Sequence, residues 1–217
     1  MRRSQRAAVG PRAWGWLIGA AWWILVAGCG AVADSPARQS FLIHLDSAAG
    51  QDRAEDRTAH KPLGAVYFSP VTVAAPFSER NLVVRRSEVG YAVDPYAEFA
   101  ASPVSMWTDV LRSWLERQQL FERVLPIDSS AEADLTLETN LLEAVADRRE
   151  GRPPSSRLVV RFLLVQNHAP YQVLLDHTFT HEEAVKGSGA ESEVAALSLA
   201  AKDVLRDFEV ALSQAAN

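Results

Sequence analysis

Apolar and polar positions along the chain fall into segments of distinct period. Three long stretches alternate with period two. Asp134 to Val145 places Leu135, Leu137, Leu141 and Val145 on one face and Glu138 and Asn140 on the other. Arg157 to Asn167 carries Leu158, Val160, Phe162 and Leu164, with Val159, Leu163 and Val165 on its second face. Tyr171 to Val185 carries Val173, Leu175 and Phe179. Such alternation marks β-strands, and the stretch that is apolar on both faces belongs in the middle of a sheet. The Glu150–Pro154 and Asn167–Pro170 loops join the three as a meander. Shorter β-rich stretches precede them. These are Phe41–Leu45, Leu63–Val73 with Pro70 at an edge or bulge, and a hairpin of Leu82–Arg86 and Tyr91–Val93 around Gly90. Pro76–Asn81 reads as a turn, and Asp94-Pro95-Tyr96 as a turn or short edge segment. Phe121–Leu125 is a further strand, stopped by Pro126.

Two stretches have helical period instead. Ser102 is placed as an N-cap with Pro103 at the first helical position, and Trp107, Val110, Leu111, Trp114 and Leu115 then form one apolar stripe. After Ser188, with Glu191 three residues later as a capping box, Val194, Leu197, Ala201, Leu205, Phe208 and Leu212 form another. The order is strands, helix, a three-strand meander, then helix. It predicts an α/β (α+β) two-layer sandwich: a largely antiparallel sheet with two amphipathic helices on one face.

The first 28 residues are a different polymer. Met1 to Arg12 is basic, Trp14 to Ala27 is apolar without a charge, and four of the six tryptophans lie in this region. The apolar run is shorter than the roughly 20 residues a spanning helix needs, and a basic region followed by a short apolar one is the pattern of a secretory signal peptide. It ends Val26-Ala27-Gly28-Cys29, which resembles the bacterial lipobox, and Cys29 is the only cysteine in the chain. An intramolecular disulfide is therefore excluded. The expectation is a signal peptide over 1–28, a lipidated Cys29 carrying palmitate-type acyl chains, a tether over 29–40 rich in Ala, Ser and Pro, and one domain over 41–217. A short uncleaved anchor is the alternative. Gly30, where an Asp would favour retention at the inner membrane, points to the outer membrane with the domain facing the periplasm.

Charge narrows the function. The whole chain has a net charge of −5, and residues 1–28 hold four arginines and no acid, so the remainder is more acidic still. Such a body repels a phosphate backbone, which argues against nucleic acid as a partner. There is no Walker loop and no G-x-S-x-G elbow. His177 and His181 share a face of one predicted strand, but i, i+4 spacing there separates them by about 13 Å, too far for one metal. Glu132, Asp134, Glu138 and Glu143 read as a solvated face, His44, His60 and His168 as isolated residues, and Trp107 and Trp114 as core. No catalytic residue, metal site or cofactor is expected beyond the covalent lipid. The exposed-type basic pair Arg85 and Arg86, with Tyr91 and Tyr96, is the expected partner-contact region.

The order of elements resembles the ABC-type transport auxiliary lipoprotein components, a family that includes paraquat-inducible intermembrane transport lipoproteins. The residues that carry the resemblance are Phe41-Leu-Ile-His-Leu45, Leu82-Val-Val-Arg-Arg86 before Tyr91, Ser102-Pro103, the run from Trp114 to Val124, Ala133-Asp134-Leu-Thr-Leu-Glu138 and Asp176-His-Thr-Phe-Thr180. One departure is Glu98-Phe-Ala-Ala-Ser102, where family members often carry an aromatic-rich stretch. The resemblance implies a non-enzymatic accessory subunit. Its partners would be a periplasmic mammalian-cell-entry (MCE) protein and an ABC permease and ATPase that move lipid between two membranes, with a homo-oligomer as one arrangement. An envelope-assembly or scaffolding lipoprotein is the second reading, and an exported hydrolase the third.

Overall fold

The computed structural model describes residues 37–45 and 62–215. The signal segment, Cys29, most of the tether and the polar stretch from Asp46 to Lys61 lie outside the described residues. Within them the chain forms one nine-stranded sheet of mixed direction and two α-helices.

Strand β7 (Leu135–Asp147) organises the sheet. One of its edges pairs antiparallel with β8 (Ser155–Gln166), from Leu135 opposite Gln166 to Asp147 opposite Ser155. Its other edge receives three segments in succession, all parallel. These are β2 (Leu63–Phe68), β3 (Thr72–Val73) and β4 (Asn81–Arg85), ending with Arg85 opposite Asp147. The β-rich stretch Leu63–Val73 thus forms two strands, divided at Pro70. Pro70 has no N–H for the ladder, and the Val71 N–H donates to Thr108 Oγ1 at 2.9 Å instead. A 3-10 turn at Ala75–Phe77, with Pro76 inside it, separates β3 from β4.

Beyond these segments the sheet has two flanks. Strand β5 (Tyr91–Phe99) pairs antiparallel with β4, and β1 (Gln39–Phe41) pairs parallel with β5. Strand β6 (Phe121–Pro126) pairs parallel with β2. On the far side, β9 (Val173–Ala184) completes the meander on β8. The three long strands are antiparallel, as their short loops require. The parallel pairings come from segments far apart in sequence.

Several boundaries differ from expectation for physical reasons. β1 ends at Phe41, because the backbone beyond it turns to the helices. The Ile43 N–H points to Met106 Sδ at 3.5 Å, and the His44 N–H donates to Ser198 Oγ at 3.2 Å. Of the two readings of Asp94-Pro95-Tyr96 the edge segment holds: it continues β5 beyond the part that β1 covers, and Asp94 Oδ1 accepts the Tyr96 N–H at 3.0 Å. A register shift at Leu141/Glu143 in β7 turns Val145 onto the face opposite Leu141, so Ala144 and Ala146 continue the helix-covered face. A second shift between Leu164 and Val165 of β8 leaves Val173 on the other face from Leu175, and exposed.

Helix α1 (Pro103–Gln118) starts as its sequence dictates. The Ser105 N–H donates to Ser102 Oγ at 3.2 Å, and Pro103 occupies the first turn, where a missing N–H costs nothing. It ends at Gln119, whose φ of 54° is left-handed. Helix α2 (Ala190–Ala215) begins without the Ser188–Glu191 capping box. Its first bond runs from the Glu193 N–H to the Gly189 carbonyl at 3.3 Å, and Ser192 Oγ donates to the Ser188 carbonyl.

Both helices cover the same face of the sheet. Phe208 of α2 stacks on Phe162 of β8 with ring centroids 4.1 Å apart, and Trp114 of α1 meets Phe208 at 6.3 Å. Phe179 of β9 packs edge-on to both phenylalanines. Trp107 and Trp114 are buried in this core, as the helical stripe implies. Each fully buried side chain of this size contributes roughly 1.5–3 kcal/mol relative to exposure.

Candidate docking surface

The β4–β5 hairpin carries the four residues expected to meet a partner. Its turn is held by its own backbone and one side chain. The Arg86 and Ser87 N–H groups both donate to the Gly90 carbonyl, and the Gly90 N–H donates to Ser87 Oγ at 2.8 Å. A Cβ on Gly90 would lie 2.5 Å from that oxygen, so the Ser87 side chain would have to swing away; Gly90 itself does not take up the positive φ of a hairpin glycine.

The structure divides the four residues. Arg85 is committed inward. Its guanidinium donates to the Ser87 and Glu88 carbonyls and to Glu88 Oε2, and its Cζ lies 5.8 Å from the centroid of the Tyr91 ring. Arg86, Tyr91 and Tyr96 are exposed. Among the described residues no carboxylate pairs with Arg86. Val89 at the tip, Val93 and Pro95 extend this surface and lie within the contact region expected from sequence, the hairpin from Leu82 to Val93 and the Asp94-Pro95-Tyr96 segment after it.

Behind the hairpin lies an ionic network that sequence reading missed. Arg149 donates to both carboxylate oxygens of Asp147, at 3.0 and 2.6 Å, and also reaches Glu88. Arg148 grips both carboxylate oxygens of Glu193, in the first turn of α2, and lies 3.4 Å from Asp94 of β5. The network therefore ties the hairpin to the β7–β8 loop and to the start of a helix, where a carboxylate is favoured by the helix dipole. Burial opposes the charge on Asp147, but the Arg149 hydrogen bonds outweigh it and hold the carboxyl below its ordinary range. The Glu193 hydrogen bonds likewise raise Arg148. A readable signal was present: two arginines directly after an acid at a strand end. Its partners, however, lie far away in sequence.

The remaining candidates resolve into structural roles. His181 Nε2 lies 2.8 Å from Asp207 Oδ2 of α2, and His177 packs against the Phe179 ring. Among the described residues no group of three or more metal-type side chains assembles. On the face away from the helices, Arg157 donates to Glu143 at 3.0 Å, and Arg161 forms a two-pronged pair with Asp176 at 2.7 Å. That pairing raises Arg161 and lowers Asp176. A small cavity beneath the helices is lined by Val71, Trp107, Leu141, Val160 and Thr139 among others. Among the described residues no helix is long and apolar enough to cross a membrane.

With this geometry in place, comparison with known proteins identifies the chain. A model of the ABC-type transport auxiliary lipoprotein component family matches residues 45–208, and the chain belongs to that family. It is thereby associated with the auxiliary, lipoprotein side of an ABC-type transport system and with the cell envelope. The fold is shared with protein XCC0632 from Xanthomonas campestris, with a TM-score of 0.62 at 16% identity, covering 70% of this chain and 86% of that one. A second solved structure, of an uncharacterized protein, gives a TM-score of 0.56 at 14% identity, over 79% of this chain and 96% of the other. No curated protein matches.

Proposed function

We propose that this protein is a lipid-anchored accessory subunit of an intermembrane lipid transport system, held at the outer membrane through Cys29 and docking a periplasmic MCE-domain protein that works with an ABC permease and ATPase. The observation that carries the reading is the family match over residues 45–208, which places the chain beside ABC-type transport. The Val26-Ala27-Gly28-Cys29 sequence and Gly30 support the anchor and its membrane. The domain's part in this reading is docking rather than catalysis. Arg85, Glu88, Asp147 and Arg149 at the hairpin are spent on one another in ion pairs, and His177 and His181 serve packing and a contact to α2.

The test is crosslinking of the native protein in cells, followed by identification of what is attached. Recovery of an MCE-domain protein with its permease or ATPase is expected. Recovery of envelope-assembly machinery alone would replace the transport role with a scaffolding one, and no attached transport component would overturn the reading.

A further inference from the structure

We propose that the β4–β5 hairpin rests on the lipid surface to which the chain is anchored, with Val89, Tyr91 and Val93 in the interfacial layer. The proposal builds on the reading of Cys29 as the acylated residue.

The direction of β1 and the length of the tether put the hairpin within reach of the membrane. β1 runs parallel to β5, with Gln39 opposite Ala97. Tracing back from Gln39 toward the N-terminus therefore leads along β5 toward Tyr91 and the hairpin tip. Nine residues separate Cys29 from Gln39, so even a fully extended tether, ten steps long, spans only about 34 Å. Over the same direction β5 advances six residues from Ala97 to Tyr91, roughly 20 Å. The tip at Val89 lies further still. The tether therefore bounds the distance from Gln39 to the lipid surface at about 34 Å, and the hairpin tip, which extends on the N-terminal side of β1, lies within that reach.

The surface presented there suits that position. Val89 is 91% exposed, Val93 59%, Tyr91 48% and Tyr96 44%, gathered on one hairpin. Tyrosine, with an apolar ring and a polar tip, is at home where hydrocarbon meets headgroup. The one carboxylate at the tip, Glu88, is met by Arg85, Arg149 and Arg152. Arg86 stands exposed beside it with no carboxylate partner among the described residues. An otherwise acidic protein therefore offers anionic lipid an end that does not repel it. Strand addition by a protein partner is less well served. Pro95 has no N–H to offer, and the Tyr96 N–H is already taken by Asp94 Oδ1. A lipid surface needs no backbone pairing.

The test uses the full acylated chain in vesicles of phosphatidylethanolamine and phosphatidylglycerol. Acylation consumes the Cys29 thiol, so a single introduced cysteine takes a bimane label selectively. Val89→Cys places the label at the tip. Tyr171→Cys places it in the β8–β9 loop, at the Leu135 end of β7 rather than the Asp147 end, and Tyr171 is 77% exposed. The label at 89 is expected to shift to the blue, to lose most of its intensity to nitroxide-bearing lipids and to be shielded from iodide, while the label at 171 stays open to iodide. If both labels remain equally open to iodide, the hairpin does not touch lipid and the proposal falls. The same holds if the label at 89 becomes shielded only when a protein partner is added. Bimane uptake by the wild-type chain would instead show a free Cys29, overturning the anchor and this proposal with it.

Discussion

Arg149 holds Asp147 by both carboxylate oxygens across only two positions of chain, and its own backbone N–H adds a further bond to Oδ1 at 3.0 Å. The pair sits where β7 ends, directly behind the hairpin strand that carries Arg85. Asp147 is only 3% exposed, and this grip favours its anion against the cost of burial.

That relationship makes stability depend on acid. The folded-state pKa of Asp147 lies below its ordinary value of 3.8. Its contribution is therefore fully present above the ordinary carboxylate range and is lost as pH falls through and below it. Urea midpoints of wild type and Asp147→Asn should differ at neutral pH and converge in strong acid. A difference that stays constant with pH would show that the charge is not the source.

Trp114 is a core residue. Its ring packs against Phe208 beneath the sheet, and Trp114→Ala should cost about 3–5 kcal/mol of stability by denaturant unfolding. A variant with unchanged melting that loses its binding partners would assign Trp114 to a contact surface instead.

Thr139 is the reverse case. Its Oγ1 is buried among the described residues without a hydrogen-bond partner, opposite Phe162 in the β7–β8 ladder. Replacing the hydroxyl by a methyl of nearly the same shape removes an uncompensated desolvation. Thr139→Val should raise stability by about 1 kcal/mol, seen as an increase of a few degrees in Tm. A lowered Tm would mean that the hydroxyl does find a partner, such as a buried water.

Cys29→Ala should abolish incorporation of a palmitate analogue and release the chain from the membrane fraction. Persistent labelling would place the lipid elsewhere and remove the basis for the short tether.

Periodicity by itself determined much of this protein. The three meander strands, both helices and the Ser102–Pro103 helix start are local: each depends on residues within a turn or two, or on alternation that a half-buried strand must obey. The lipobox-like ending at Cys29 is likewise a contiguous string. Tertiary structure decided what contiguity cannot express. One edge of β7 is built from three separate parallel segments, because Pro70 and Pro76 break the stretch that would otherwise run beside it. One added residue near Leu142 moves Val145 to the opposite face, a change of side that simple alternation has no way to register. The hairpin pair Arg85 and Arg86 reads alike in sequence. Packing separated them, since Arg85 faces Glu88 and the Tyr91 ring while Arg86 faces none of the described carboxylates. Asp147, Arg148, Arg149 and Glu193 form a network only because a strand end, a loop and a helix N-terminus converge, and convergence of distant segments is set by the fold rather than by any one stretch of chain.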